Sequence, residues 1–198
     1  MNVLATWKTL VLVLLSAVLP LSAADNELDA VDGPNVRVMR HDDGSTSVFV
    51  RSPDNRTLTK KTYSANSVLT LFTVYRMDSH GNLLGCKIFS GQRQEFGGQR
   101  QELFKVNYGY HRDNGRLEAE YMFDSQVTRR DKDGNEIPVR IVRYAYDAQG
   151  NRSAPIVTTT LPGEHAEKVF GKGAGTPTAP KENLFDDRPV NRNARPLR

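Results

Sequence analysis

Cys86 is the only cysteine in this 198-residue chain. It can form neither an internal disulfide nor a cysteine-based zinc site, so a folded body must rest on ordinary packing. The four histidines lack metal-ligand spacing such as His-x-x-x-His. There is no phosphate-cradling glycine loop and no Gly-x-Ser-x-Gly nucleophile elbow. No amphipathic helix of ordinary length can be traced between residues 25 and 170. The apolar run from Thr9 to Leu21 is too short for a typical spanning helix.

That run has the form of an export signal. Lys8 and the amino terminus supply the positive start, and Ser22-Ala23-Ala24 supplies small residues for cleavage before Asp25. No cysteine sits near the end of the run, which argues against a lipid-modified amino terminus of the bacterial lipoprotein kind. The expected organisation is a signal over 1–24, an all-β domain over 25–170 and a flexible basic tail over 171–198. The expected setting is extracytoplasmic: periplasmic, cell-surface or secreted, and not membrane-spanning once the signal is removed.

Twenty basic and twenty acidic residues balance between Asp25 and Phe170. The net positive charge therefore belongs to the tail, where six basic residues meet Glu182, Asp186 and Asp187. This argues against a nucleic-acid partner for the body. The tail is rich in Gly, Pro and Asn, and only Leu184, Phe185, Val190 and Leu197 offer much to bury. Such a segment does not offset its ordering entropy, so removing it should leave the melting temperature nearly unchanged.

What the body has in abundance is turns. Asp-x-x-Gly-Asn occurs at Asp78–Asn82, Asp131–Asn135 and Asp147–Asn151, with looser relatives at Asp42-Asp43-Gly44 and Asp113-Asn114-Gly115. Asp opens a type I turn and Gly supplies the left-handed residue, making a bulged hairpin loop. Strands are expected near 36–41, 46–51, 68–77, 83–90, 104–112, 116–130, 136–146 and 152–160. The Asp131–Asn135 turn predicts Arg130 opposite Glu136 and Val127 opposite Val139.

Reading Asn114-Gly115 as a two-residue turn puts Tyr110 opposite Ala119, Tyr108 opposite Tyr121 and Val106 opposite Phe123, which sorts one apolar face. The first turn pairs Val74 with Cys86, and the last pairs Val142 with Ile156. The long strand from 116 should bend near Asp124-Ser125. Apolar residues on both faces, as at Ile141, Val142, Tyr144 and Ala145, favour a curled sheet, barrel or sandwich. The fold class is thus all-β, an antiparallel meander of about eight to ten strands. Charged outward faces oppose an outer-membrane barrel.

The segment Tyr144-Ala145-Tyr146-Asp147-Ala148-Gln149-Gly150-Asn151-Arg152 resembles the YD repeat of Rhs-type bacterial wall and toxin-shell proteins. Met77 to Leu83 is similar without the leading Tyr, and Asp113 to Leu117 is a shifted relative. The resemblance implies hairpin architecture and an extracytoplasmic setting. It implies no functional residues.

Candidate chemistry is sparse. Cys86 and His80 are the one local thiol–imidazole pair, yet the ladder separates them, and Cys86 reads as a small buried residue. Asp131, Asp133, Asn135 and Glu136 resemble the opening of a calcium loop, but the sixth position is Glu136 rather than Gly. Glu118 and Glu120 share a strand face near His111, as a solvated face or an acid pair would. The sequence therefore nominates no catalytic residue, no metal ligand and no cofactor.

A tandem duplication is the unusual feature: Gly91-Gln92-Arg93-Gln94-Glu95-Phe96, then Gly98-Gln99-Arg100-Gln101-Glu102-Leu103. Gly97-Gly98 opposes a helix, so a long loop or extra hairpin is expected. Gln92, Arg93, Gln94, Gln99, Arg100 and Gln101 form the candidate binding loop, suited to sugars or carboxylates. The functional expectation is an exported non-enzymatic binding or structural module whose partner is an envelope protein or polysaccharide. The alternatives are a small-ligand carrier built as a closed or cup-shaped barrel, then a hydrolase.

Overall fold

The three full turns share one hydrogen-bond scheme in the structure, a computed structural model. In each, the Asp N–H donates to the Asn carbonyl and the Gly N–H returns to the Asp carbonyl. The Asp carboxylate then accepts from the Asn backbone and the Asn side-chain amide at once, at 2.7–3.1 Å. Gly81, Gly134 and Gly150 hold φ of 84°, 83° and 86°. The closing Asn is thus a bidentate partner of Asp, which explains why it recurs.

The structure describes residues 32–94, 97–160, 177–180 and 184–185; the signal and most of the tail lie outside them. Nine strands follow in chain order: β1 (Val36–Arg40), β2 (Thr46–Arg51), β3 (Thr57–Tyr63), β4 (Leu69–Met77), β5 (Leu83–Arg93), β6 (Arg100–Tyr110), β7 (Leu117–Asp124), β8 (Arg140–Arg143) and β9 (Ile156–Thr159). Each pairs antiparallel with the next, in one sheet of order β1 to β9. The expected meander is therefore present. Among the described residues β1 and β9 are not paired, so the sheet does not close into a barrel, and no second sheet makes a sandwich. The closed-barrel form of a carrier is corrected accordingly.

Three readings change. Strand β3 was not expected; its Thr and Lys residues give no apolar alternation, although β-branched Thr suits a strand. The loop after β6 spans four residues rather than two, since His111 N–H donates to the Arg116 carbonyl and Gly115 N–H to the His111 carbonyl. A bulge at Gly109/Tyr110 follows, so Val106 faces Met122 and Tyr108 faces Glu120. The predicted pairs are off by one residue.

A second bulge, at Arg76/Met77, moves Cys86 from Val74 to Tyr75. The last hairpin begins in the predicted register at Tyr146 and Arg152 but ends with Val142 opposite Val157. Each bulge turns the side chains beyond it to the other face. The bend after β7 falls where expected, past Asp124. Arg130 does oppose Glu136. However, Glu136 pairs with Lys105 at 2.5 Å, and Val139 bonds to Met122 rather than meeting Val127.

The register builds one continuous row across the sheet: Leu58, Tyr75, Cys86, Val106, Met122 and Arg140 stand opposite one another in turn. All are buried, and Phe49 and Ile88 on the same face complete the core. The other face is partly covered, with Val48 and Ala119 buried there. There Arg100 stacks over Phe72 at 5.4 Å and Lys105 over Phe123 at 5.4 Å, so long cationic side chains cover rings. This is how apolar residues occupy both faces of a sheet without a second layer.

Candidate functional site

Among the described residues the duplicated segment forms the paired ends of two strands. It extends β5 to Arg93 and starts β6 at Arg100, and Gln94 N–H donates to the Gln99 carbonyl near the tip. Pairing to β4 stops at Ser90, and pairing to β7 stops at Phe104, so the tip projects beyond both neighbours. Gln92, Arg93, Gln94, Gln99 and Gln101 are exposed. Arg100 is instead half-buried, donating to the Gly91 carbonyl and lying on Phe72. Gln101 donates to the Gln126 side chain at 2.9 Å, which braces the base. Of the six candidates, Arg100 and Gln101 are thus structural partners, whereas Gln92, Arg93, Gln94 and Gln99 face solvent. Glu95 and Phe96 lie outside the described residues.

Gly91 explains the start of this projection. A Cβ there would stand 2.0 Å from the Leu69 carbonyl oxygen, so only glycine lets β4 and β5 approach so closely.

A second constellation lies under the core face. Glu120 is 2% exposed. Its carboxylate accepts from the Tyr144 hydroxyl, the Thr178 N–H at 2.8 Å, the Thr178 hydroxyl at 2.5 Å and the Ala179 N–H at 3.1 Å. Tyr75 donates its hydroxyl to the Thr178 carbonyl at 2.8 Å. Tyr108 contacts Cys86 Sγ at 3.4 Å and Thr178 Oγ1 at 3.2 Å. Burial drives the Tyr75, Tyr108 and Tyr144 hydroxyls well above the usual phenol range, with Cys86 adding to the rise at Tyr75 and Tyr108 and Glu120 at Tyr144. They remain protonated donors at neutral pH.

The solvated Glu118–Glu120 face is corrected by this geometry. Glu118 is exposed, whereas Glu120 lies inside, because the one-residue shift turns it to the core. Cys86 is buried opposite Tyr75, and burial pushes its thiol up to about 12. His80 sits in the first turn beside Asp78 rather than at Cys86. At the second turn, Asn135 and the backbone N–H groups engage Asp131, lowering its carboxyl below the usual range. Among the described residues no group of three or more His, Cys, Asp or Glu is placed to hold a metal ion.

Six tail residues are described, and they lie against the sheet. Pro177–Pro180 cover Glu120, while Leu184 and Phe185 pack on the core. Arg37 donates to the Leu184 carbonyl at 3.0 Å, and Arg51 stacks over Phe185 at 4.8 Å. Sequence reading picked out Leu184 and Phe185 as buriable but missed Thr178. The one available signal was Thr176–Pro180, an uncharged stretch within a charged segment.

Fold and geometry together define an all-β, single-sheet antiparallel meander. No family model matches the chain, and no curated protein matches it. Among solved structures it is similar to a DUF3836 family protein from Bacteroides vulgatus, at 13% identity and a TM-score of 0.28, over 45% of this chain and 98% of that one. It is also similar to the pneumococcal O-GlcNAc transferase GtfA, at 12% identity and a TM-score of 0.25, over 69% of this chain. The match spans 23% of the transferase's length.

Proposed function

We propose that this chain is an exported, non-enzymatic β-rich binding module of the bacterial envelope or cell surface. One observation carries the reading: the β5–β6 hairpin projects past both neighbouring strands and presents Gln92, Arg93, Gln94 and Gln99 to solvent. Amide and guanidinium groups hydrogen-bond the hydroxyls and carboxylates of envelope polysaccharides, and the two-stranded arm sets these groups side by side. The apolar run ahead of Asp25 supports export. The resemblance to YD-repeat hairpins supports the same setting.

The test is co-sedimentation of the purified protein with isolated cell-wall polysaccharide, beside a variant with Gln92, Arg93, Gln94 and Gln99 all changed to Ala. The wild type should sediment and the variant should stay in solution with an unchanged melting temperature. Equal behaviour of the two proteins would remove the hairpin from the binding site. Amino-terminal sequencing of the extracytoplasmic fraction tests export, with Asp25 expected first.

A further inference from the structure

All three polar groups of Thr178 are engaged. Its N–H and hydroxyl meet Glu120, its carbonyl accepts from Tyr75, and Tyr108 is a second partner of the hydroxyl. The neighbouring Ala179 N–H joins the same carboxylate. The residues flanking the Thr178-Ala179 pair are prolines, which carry no N–H needing a partner, and the backbone bends between them. These bonds of Thr178 and Ala179 run to sheet residues 58 or more positions away. The sheet thus reads a short bent peptide by its backbone and one hydroxyl.

We propose that the cleft bounded by Tyr75, Tyr108, Glu120 and Tyr144 is a peptide-recognition site. Its resident ligand is Pro177–Pro180, held in cis and replaceable by the same sequence supplied in trans. The ligand class is a short, uncharged segment that bends at a hydroxyl residue between prolines. A tethered segment acts at an effective concentration in the millimolar range, so the site stays occupied until the cis contacts weaken. This site is separate from the projecting hairpin, and neither reading depends on the other.

Cys86 supplies the readout, because it lies beneath the segment and Tyr108 bridges its thiol to Thr178. As the only cysteine it reports without interference. Thiol labelling of the full chain is compared with Thr178→Val, Ala179→Pro and the double variant, with circular dichroism and cooperative melting as the check of folding. Labelling should accelerate about tenfold or more, which corresponds to ~1.4 kcal/mol of lost cis contact.

A synthetic peptide of residues 174–182 should then restore protection of the variants, and a peptide carrying both substitutions should not. If the double variant fails to melt cooperatively, Thr178→Val alone is read by anisotropy of the fluorescent native peptide. Unchanged labelling in folded variants overturns the proposal. So does a native peptide that neither binds nor protects, or one no better than the substituted peptide.

Discussion

One oxygen of the Glu120 carboxylate accepts both the backbone N–H and the hydroxyl of Thr178, at 2.8 and 2.5 Å, across 58 residues of sequence. The other oxygen takes the Ala179 N–H and the Tyr144 hydroxyl. A buried carboxylate is tolerated here because donors surround it. Removing the acceptor leaves these donors buried without a partner. Glu120→Ala should therefore cost about 3 kcal/mol or more, read from the urea midpoint at constant m-value.

Ending the chain at residue 170 removes Thr178, Ala179, Leu184 and Phe185 from the core face. Contrary to the expectation from composition, this truncation should lower stability by roughly 2 kcal/mol or more, given several bonds to a charged group. Combined with Glu120→Ala, the two losses should add to much less than their sum, because both break the same contacts. Full additivity in urea unfolding would show that the segment and Glu120 act independently.

Gly150 holds φ at 86°, and a Cβ there would stand 2.6 Å from Arg116 Nη2. Arg116 is itself stacked over Tyr146 at 5.2 Å. Gly150→Val should therefore destabilise by about 1 kcal/mol or more, through backbone strain and displacement of that stack. A neutral result in thermal melting would contradict the positive φ.

Gly91→Ala tests a different constraint, since the obstacle is the Leu69 carbonyl rather than a movable side chain. The strands must separate, at a cost of about 1–3 kcal/mol. Hydrogen exchange should rise at the β4–β5 pairing nearest the hairpin while the opposite end of the sheet stays protected.

The turn carboxylates predict a pH dependence. Bonds from the Asn151 side chain and backbone hold the Asp147 carboxyl below its ordinary 3.8. A lowered folded value means stabilisation is complete above the ordinary value and is lost as pH falls through the lowered one. The melting-temperature gap between wild type and Asp147→Asn should be open at pH 7 and close progressively below 3.8. A gap that persists undiminished in strong acid would assign the turn's stability to the backbone alone.

Local chemistry determined most of the fold. Asp, Gly and Asn at fixed offsets specify a turn by bonds within five residues, so the hairpins closed by those turns and the bend after β7 were legible in the sequence, whereas β3, without apolar alternation, was not. The same holds for the antiparallel meander, since short turns join neighbours. Bulges were not legible: the extra residue at Gly109/Tyr110 or Arg76/Met77 answers to packing across strands, and alternation alone cannot locate it. That single-residue shift decided that Glu120 faces inward. The destination of Pro177–Pro180 was also a tertiary decision, because a segment poor in apolar residues finds its place through buried polar partners contributed by β4, β6 and β7.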